Sequence, residues 1–316
     1  MIATLGEALV DFIEQADGRF QPFLGGCIFN FSLGLARQGV PVSYLNPLSQ
    51  DQFGARFARR LEQDGVLLGA AARSALPTSL ALISLDAGGV PTYAFHRAEV
   101  ADRDVDAAQL VASLPPRLTL LHTGGLALVP ADLQKMLTVL RAASGGASLV
   151  SVDANLRPMA VPDVDAYVAG VRSAIACAHI LKVSDEDLDI LGWGALEPPE
   201  QAAALFAMAP MLELIALTRG PHGASLYTRG ASASAPVPAL TVVDTVGAGD
   251  CFHAGLLAYL LRAGRLAAPE LLAGMDAEVL REALDHAVAS ASLNVMRAGC
   301  DPASWEEVLA FRRAGR

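Results

Sequence analysis

The chain has 316 residues, 53% of them apolar, and its 33 acidic side chains outnumber 23 basic ones for a formal charge of −10. That length suits one large α/β domain with a small appendage, or two modest domains. Nucleic acid and anionic membrane are excluded as main partners, because both demand a basic face.

The N-terminus runs straight into Ile2–Glu7 with no basic leader, and the longest charge-free stretch, Phe20 to Ala36, is too short and too broken by Pro22, Gly25, Gly26, Asn30 and Gly34 to span a bilayer. Cys27, Cys177, Cys251 and Cys300 are scattered without metal-ligand spacing, so reduced thiols in a cytoplasmic protein are expected.

An opening strand is predicted over Thr4–Phe12, then a strand over Phe20–Leu24 and helices over Phe29–Gln38 and Asp51–Asp64. Ser79–Leu85 and Pro91–Arg97 read as an antiparallel hairpin across an Asp86-Ala-Gly88-Gly89 turn. The first of these runs is apolar on both faces, Leu80 and Leu82 against Ala81, Ile83 and Leu85. A small β-lid of this kind needs cover on each side. One side would close over a ligand and the other would pair with a second subunit, which predicts a homodimer.

From Asp106 onward strands and helices alternate. Leu118–His122 is a strand and Pro130–Arg141 a helix with proline in its first turn. Leu149–Asp153 is a strand and Asp163–Ala176 a helix, while His179–Val183 and Leu214–Thr218 are unpunctuated apolar runs of the doubly buried, parallel kind. Repeated β-then-α units imply a parallel sheet in a three-layer α/β/α sandwich. The core is assigned to 1–16, 27–66 and 103–316, and the inserted lid to 17–26 and 67–102. Ligands of such sheets sit beyond the carboxyl ends of the strands, which makes Asp153, Asn155, Lys182, Ser184 and Thr218 candidates for one cleft.

The most informative stretch is Thr241-Val-Val-Asp244-Thr-Val-Gly247-Ala248-Gly249-Asp250, a short β-type run and a loop of small residues opening into an apolar helix. The bare N–H groups of Gly247, Ala248 and Gly249 would be the unpaired first donors of that helix, an anion site. Asp250 is an anion inside it. A carboxylate there repels stored phosphate, but it suits a hydroxyl that must lose its proton beside a phosphoryl group in transfer. Asp250 is therefore read as a general base of phosphoryl transfer. His122, His253 and His286 lie in apolar stretches and receive no chemistry, and Glu7 is read as a structural hydrogen-bonding group.

These residues carry a family likeness. Asp244-Thr-Val-Gly-Ala-Gly-Asp250, Gly25-Gly26 followed by Asn30, Ala101-Asp102-Arg103, Asp153-Ala-Asn155-Leu-Arg157 and Thr218-Arg-Gly220-Pro-His-Gly223 occur in order along essentially the whole chain. Together they resemble the ribokinase-like (PfkB) carbohydrate kinases, bacterial fructokinases above all. The resemblance implies a sugar kinase using ATP, Mg²⁺ and K⁺. Asp11, Gly25, Gly26, Asn30, Arg97 and Arg157 would meet the sugar, and Asn155, Lys182, Thr218, Gly220 and Gly223 the nucleotide. Asp244 with the carbonyls of Val246, Asn294, Arg297 and Gly299 would hold the monovalent cation.

Two departures stand out. The family's magnesium-associated Asn-x-x-Glu is Ser184-x-x-Asp187 here, so Asp187 would reach the metal through water, and Cys27, Ile28 and Phe29 replace small residues, which would narrow the sugar pocket. A kinase of 2-keto-3-deoxygluconate is the alternative in the same class, with Arg97 and Arg157 as a carboxylate clamp. A nucleoside acceptor is disfavoured for want of an aromatic pair placed to sandwich a base. A non-catalytic sugar or nucleotide sensor would be expected to lose Asp250 or its loop. A nicotinamide-dependent oxidoreductase would need a G-x-G-x-x-G loop that the first strand lacks.

Overall fold

A computed structural model describes residues 1–15, 17–85 and 91–314. In chain order its strands are β1 (Ile2–Leu5), β2 (Leu9–Glu14), β3 (Phe20–Gly25), β4 (Val42–Tyr44), β5 (Leu67–Leu68), β6 (Ser79–Leu85) and β7 (Pro91–His96). The later ones are β8 (Leu120–Gly124), β9 (Leu149–Asp153), β10 (Ile180–Ser184), β11 (Leu214–Thr218), β12 (Ala224–Tyr227) and β13 (Ser232–Ala235). Nine of them form one sheet in the order β13-β12-β11-β10-β9-β8-β1-β4-β5, parallel except for β12 and β13 at one edge. The other four form a small sheet ordered β3-β2-β6-β7.

The central strands are buried on both faces, which is why they read as continuous apolar runs rather than alternating ones. One face is covered by helices Cys27–Arg37, Ala248–Arg262 and Ala277–Val295, the other by Pro130–Ser144, Val164–Ile175 and Pro198–Met208. Local chemistry starts these helices. Pro130 opens its helix where a missing N–H costs nothing, and Asp163 accepts from Ala166 N at 2.9 Å. Small residues let the helices on the first face touch. A Cβ at Gly255 would come within 2.3 Å of Ser290 Oγ, and one at Gly34 within 2.7 Å of the Ala254 methyl.

The opening strand is not one strand. At Gly6 the chain leaves the main sheet, and three residues later it enters the small one as β2. Gly6 makes the crossing at φ +156°, where a Cβ would lie 2.3 Å from Ile28 Cγ1. Apolar periodicity cannot register so short a passage between sheets. Both predicted lid edges therefore shift: Leu9–Glu14 pairs within the small sheet, and Leu67–Leu68 pairs with β4 in the main one. Thr241–Val243 is not a strand either. Val242 and Val243 are 56% and 61% exposed, and the N–H groups of Val243 and Asp244 both donate to the Val295 carbonyl. β6 and β7 are antiparallel, as expected of a hairpin, while the predicted Asp86–Gly89 turn lies outside the described residues.

Strand alternation gives the small sheet two different faces. Phe12, Leu24 and Leu80 pack on the core, Phe12 meeting Phe53 edge-on at 5.8 Å, so much of the face expected to await a second subunit is covered by the chain itself. Asp11, Ile83, Tyr93 and Phe95 look the other way, over a cleft. Among the described residues no helix is long and apolar enough to cross a membrane.

Candidate active site

The cleft has a volume of about 690 Å³ and lies beyond the carboxyl ends of the parallel strands, under the small sheet. At its centre the helix Ala248–Arg262 begins. Gly247 caps it in the left-handed region at φ +73°, with no side chain on the first N–H groups. A Cβ at Gly247 would lie 2.4 Å from Cys300 Sγ, which forbids a larger residue there, while one at Gly249 would lie 3.1 Å from Lys182 Nζ, a tight contact to which the lysine would have to yield. Ala248 N reaches back to the Thr245 carbonyl in a long 3.2 Å bond, and no side chain caps the turn, which leaves its donors beside a lysine ammonium in an arrangement that attracts anions.

Asp250 follows in that first turn and is buried. Burial is the main force raising its pKa to about 7; the Asn30 hydrogen bond opposes it, Asp153 adds to it, and Lys182 and Arg157 oppose it. A carboxylate tuned this high is a far stronger base than a solvated one and is about half ionised at neutrality. Asn30 donates from Nδ2 to Asp250 Oδ2 at 2.9 Å, and its Oδ1 is buried with no partner.

At the acceptor end, the carboxyl group of Asp11 on β2 occupies the space above Gly25, where a Cβ would stand 2.3 Å from Oδ2. Burial first, then the nearby Glu7 charge, pushes Asp11 up to about 6 against the pull of Arg157. Gly26 holds φ +104° and caps the helix Cys27–Arg37; a Cβ there would meet the Glu7 carbonyl at 2.8 Å. Arg157 lines the cleft, gives Nη1 to the Leu156 carbonyl at 2.9 Å, and has no ion-pair partner among the described residues. Arg97 does not reach the cleft. Its Nη2 pairs with Asp102 at 2.6 Å and its Nη1 donates to the Leu126 carbonyl at 2.9 Å, because the chain turns down into the core at the end of β7. Of the three bulky replacements only Cys27 lines the cleft; Ile28 and Phe29 point into the core, so they do not narrow it.

At the other end Asn155, Lys182, Ser184, Thr218 and Gly220 share the wall, as the strand-end argument anticipates. Asp153 sits just beneath them and pairs with Lys182 Nζ at 3.1 Å. Burial alone would lower the Lys182 pKa, but Asp153 and Asp187 more than offset it, and the ammonium is held charged. Gly223 is elsewhere: it lets the backbone pass β13, where a Cβ would lie 2.2 Å from the Ala235 carbonyl. Asp187 is also removed from the cleft. Its Oδ1 accepts from Leu156 N at 2.7 Å and its Oδ2 from Ser184 N and Oγ at 2.9 and 2.8 Å, while Asp187 N donates back to Ser184 Oγ at 3.1 Å to complete a capping box. The carboxylates at the wall are Asp185 and Glu186 instead.

The loop before Gly247 is organised by Asp244, whose carboxylate accepts from Val246 N at 3.0 Å and Gly299 N at 2.8 Å and has no cationic partner among the described residues. Asn294 ties the loop through Nδ2 to the Val246 carbonyl at 2.8 Å, and its own carbonyl accepts from Arg297 N. The Arg297 guanidinium turns away toward Asp301 and Glu307. A carboxylate satisfied only by two main-chain N–H groups keeps its charge available to a monovalent cation. Among the described residues no group of three or more His, Cys, Asp or Glu could hold a metal ion.

Glu7 makes the structural hydrogen bonds expected of it, accepting from Cys27 N and Sγ at 3.2 and 2.9 Å, and sequence reasoning missed only that it does so in the cleft floor, for which its position directly after β1 is the signal. The lid also contributes an aromatic pair, Tyr93 and Phe95, with rings nearly parallel and centroids 5.9 Å apart. They sit side by side on one strand, so they form a wall rather than a sandwich.

Known proteins resemble this chain in sequence and in fold. A fructokinase from Rhizobium leguminosarum bv. trifolii is 32% identical over 289 residues, covering 90% of this chain and 87% of that protein. The fructokinase structure from Xylella fastidiosa superposes with a TM-score of 0.84 at 23% identity, over 100% of this chain and 99% of that one. A double mutant of fructokinase from Vibrio cholerae O395, in fructose, ADP and potassium ion bound form, gives 0.81 at 21% identity over 98% and 97% of the two chains. The family model described as pfkB family carbohydrate kinase matches residues 1–307, and the chain belongs to that family.

Proposed function

We propose that this carbohydrate kinase transfers the γ-phosphoryl group of ATP to a hydroxyl of fructose. One observation carries the reading: Asn30 holds Asp250 through Nδ2 and keeps a buried, unpartnered Oδ1 beside it. That oxygen is an acceptor open to a sugar hydroxyl next to the group that would take a proton. Asp250 removes the proton of the acceptor hydroxyl, the oxygen bonds to the γ-phosphorus, and the bond to the bridging oxygen of ADP breaks. The N–H groups of Gly247, Ala248 and Gly249, with the Lys182 ammonium, receive the charge on the migrating group. Asp11, Gly26, Asn30 and Arg157 orient the sugar, and Asn155, Thr218 and Gly220 the nucleotide.

A neutral ketose is favoured over 2-keto-3-deoxygluconate because Arg97 is committed to Asp102, which leaves Arg157 without its expected partner in a carboxylate clamp. The name of the 32% identical relative supports the same choice. Magnesium would ride on the phosphates and neutralise their charge, with Asp185 and Glu186 receiving its water shell. Asp244 with the Val246, Arg297 and Gly299 carbonyls would hold a potassium ion that stiffens the loop entering Gly247. A homodimer through the small sheet is the remaining part of the reading, with the exposed ring of Phe20 as an anchor; a sedimentation measurement giving a monomer would remove it.

The test is a coupled ADP-release assay over fructose, ribose, tagatose, 2-keto-3-deoxygluconate and a nucleoside. Fructose should give the highest kcat/KM. A higher value for any other acceptor would reassign the substrate.

A further inference from the structure

The Ala101-Asp102-Arg103 turn lies outside the cleft, yet three of the four places where the chain enters or leaves the small sheet at that end, all but the exit of β3 at Gly25, converge on Asp102. Ser79, the first residue of β6, donates its hydroxyl to Asp102 Oδ1. Arg97, the residue after β7, gives Nη2 to Asp102 Oδ2 at 2.6 Å. The Asp102 carbonyl accepts from Asn46 Nδ2 at 2.8 Å, and Asn46 Oδ1 in turn accepts from Gly6 N at 2.7 Å, where the chain crosses from β1 toward β2. The carboxylate is 3% exposed and its arginine partner 9% exposed, so the pair is shielded from solvent and salt.

The connection continues into the cleft. Arg97 Nη1 donates to the Leu126 carbonyl at 2.9 Å, and Leu126 lines the cavity. Around the pin there are further bonds, Ala101 N to the Pro77 carbonyl at 2.8 Å, Thr78 N and Oγ1 to the two Asp51 oxygens at 2.8 Å each, and Arg103 Nη1 to the Arg97 carbonyl, but none of these binds Ser79 and Arg97 together as the Asp102 carboxylate does. The apolar contacts of Phe12, Leu24 and Leu80 hold the sheet against the core, and directional bonds at its roots add to them. A two-oxygen carboxylate that binds one root with each oxygen sets the spacing of β6 and β7 and their tilt over the cleft.

We infer that Asp102 is a positioning residue, a buried pin that fixes both roots of the small sheet and so sets how its Asp11, Ile83, Tyr93 and Phe95 face sits on the acceptor. The kinetic part of this inference rests on the proposed sugar-kinase reading; the mechanical part does not.

The test takes the full-length chain with Ser79→Ala, Asp102→Asn and Arg97→Lys. Hydrogen–deuterium exchange without substrate should quicken by about tenfold or more in β2, β6 and β7, with β8–β11 unchanged. With the preferred sugar, the KM for sugar should rise by about tenfold while the KM for ATP stays within about twofold, and Arg97→Lys should recover part of the loss. Exchange in the small sheet within about twofold of wild type would overturn the inference, as would equal acceleration in the main sheet. Ser79→Ala removes one hydroxyl only, so it decides the matter if Asp102→Asn does not fold. The exchange experiment needs no acceptor, and failure of the fructose assignment leaves its result intact.

Discussion

Asn30 and Asp250 stand 220 positions apart in sequence, yet Nδ2 of the first donates to Oδ2 of the second at 2.9 Å, inside a cleft where the carboxyl group is otherwise short of donors. Each sits in the first turn or so of its helix, one opened by Gly26 and the other by Gly247. Two glycine-capped helix starts therefore face one another, and the amide links them. The carboxyl group's character as a base depends on that link, since burial raises its pKa and the amide restrains the rise.

Asp250→Asn should lower turnover by about 10²-fold or more, leaving ATP affinity within about twofold, because the removed group moves a proton and does not hold nucleotide. Steady-state kinetics with both substrates varied checks this; near-normal turnover would show that another base operates. The same variant should be stabilised, and the gain should depend on pH. The folded pKa of about 7 lies above the ordinary 3.8, so the folded chain binds the extra proton between these values and stability falls as pH rises through them. Asparagine escapes that loss, and its Tm advantage over wild type should be larger at pH 8 than at pH 5.

Asn30→Ala should raise the KM for sugar and also move the acidic limb of the kcat/KM profile to higher pH. The amide is the strongest influence holding the Asp250 pKa down, and the base must be ionised to act. A limb shifted toward lower pH, or unmoved, would mean that Asp250 is not the group reported by the profile.

Gly247→Ala should cost about 1–3 kcal/mol of stability and most of the activity, since it combines a positive φ with overpacking against Cys300. Thermal melts of Gly247→Ala with and without Cys300→Gly separate the two causes, because the new Cβ would lie 2.4 Å from Cys300 Sγ and 2.8 Å from its Cβ. The double variant should recover only the packing share, and full recovery would show that the backbone angle costs nothing.

Turnover should be higher in potassium than in sodium salts at equal ionic strength, and Asp244→Ala should abolish the difference. Asp244 carries a carboxylate that only main-chain N–H groups satisfy, immediately before the loop that caps the anion site. Rates that match in the two salts would remove the cation from the mechanism.

Much of this molecule is written in local patterns. The doubly buried strands β8–β11, Pro130 at a helix start and the small-residue loop ahead of Asp250 were legible because each depends on side chains within one or two turns of one another. The reaction class followed for the same reason, since an anion hole and its base occupy four consecutive residues. The tertiary structure alone decided where the first strand breaks, because Gly6 is required by Ile28, which arrives from a different element. It alone decided that Arg97 serves Asp102 rather than the sugar and that Asp187 caps a helix, because a charged group's role is set by whichever partner folding brings within about 3 Å. And it alone brought Asn30 to Asp250: a pKa near 7 is a property of burial and long-range neighbours, which no stretch of sequence contains.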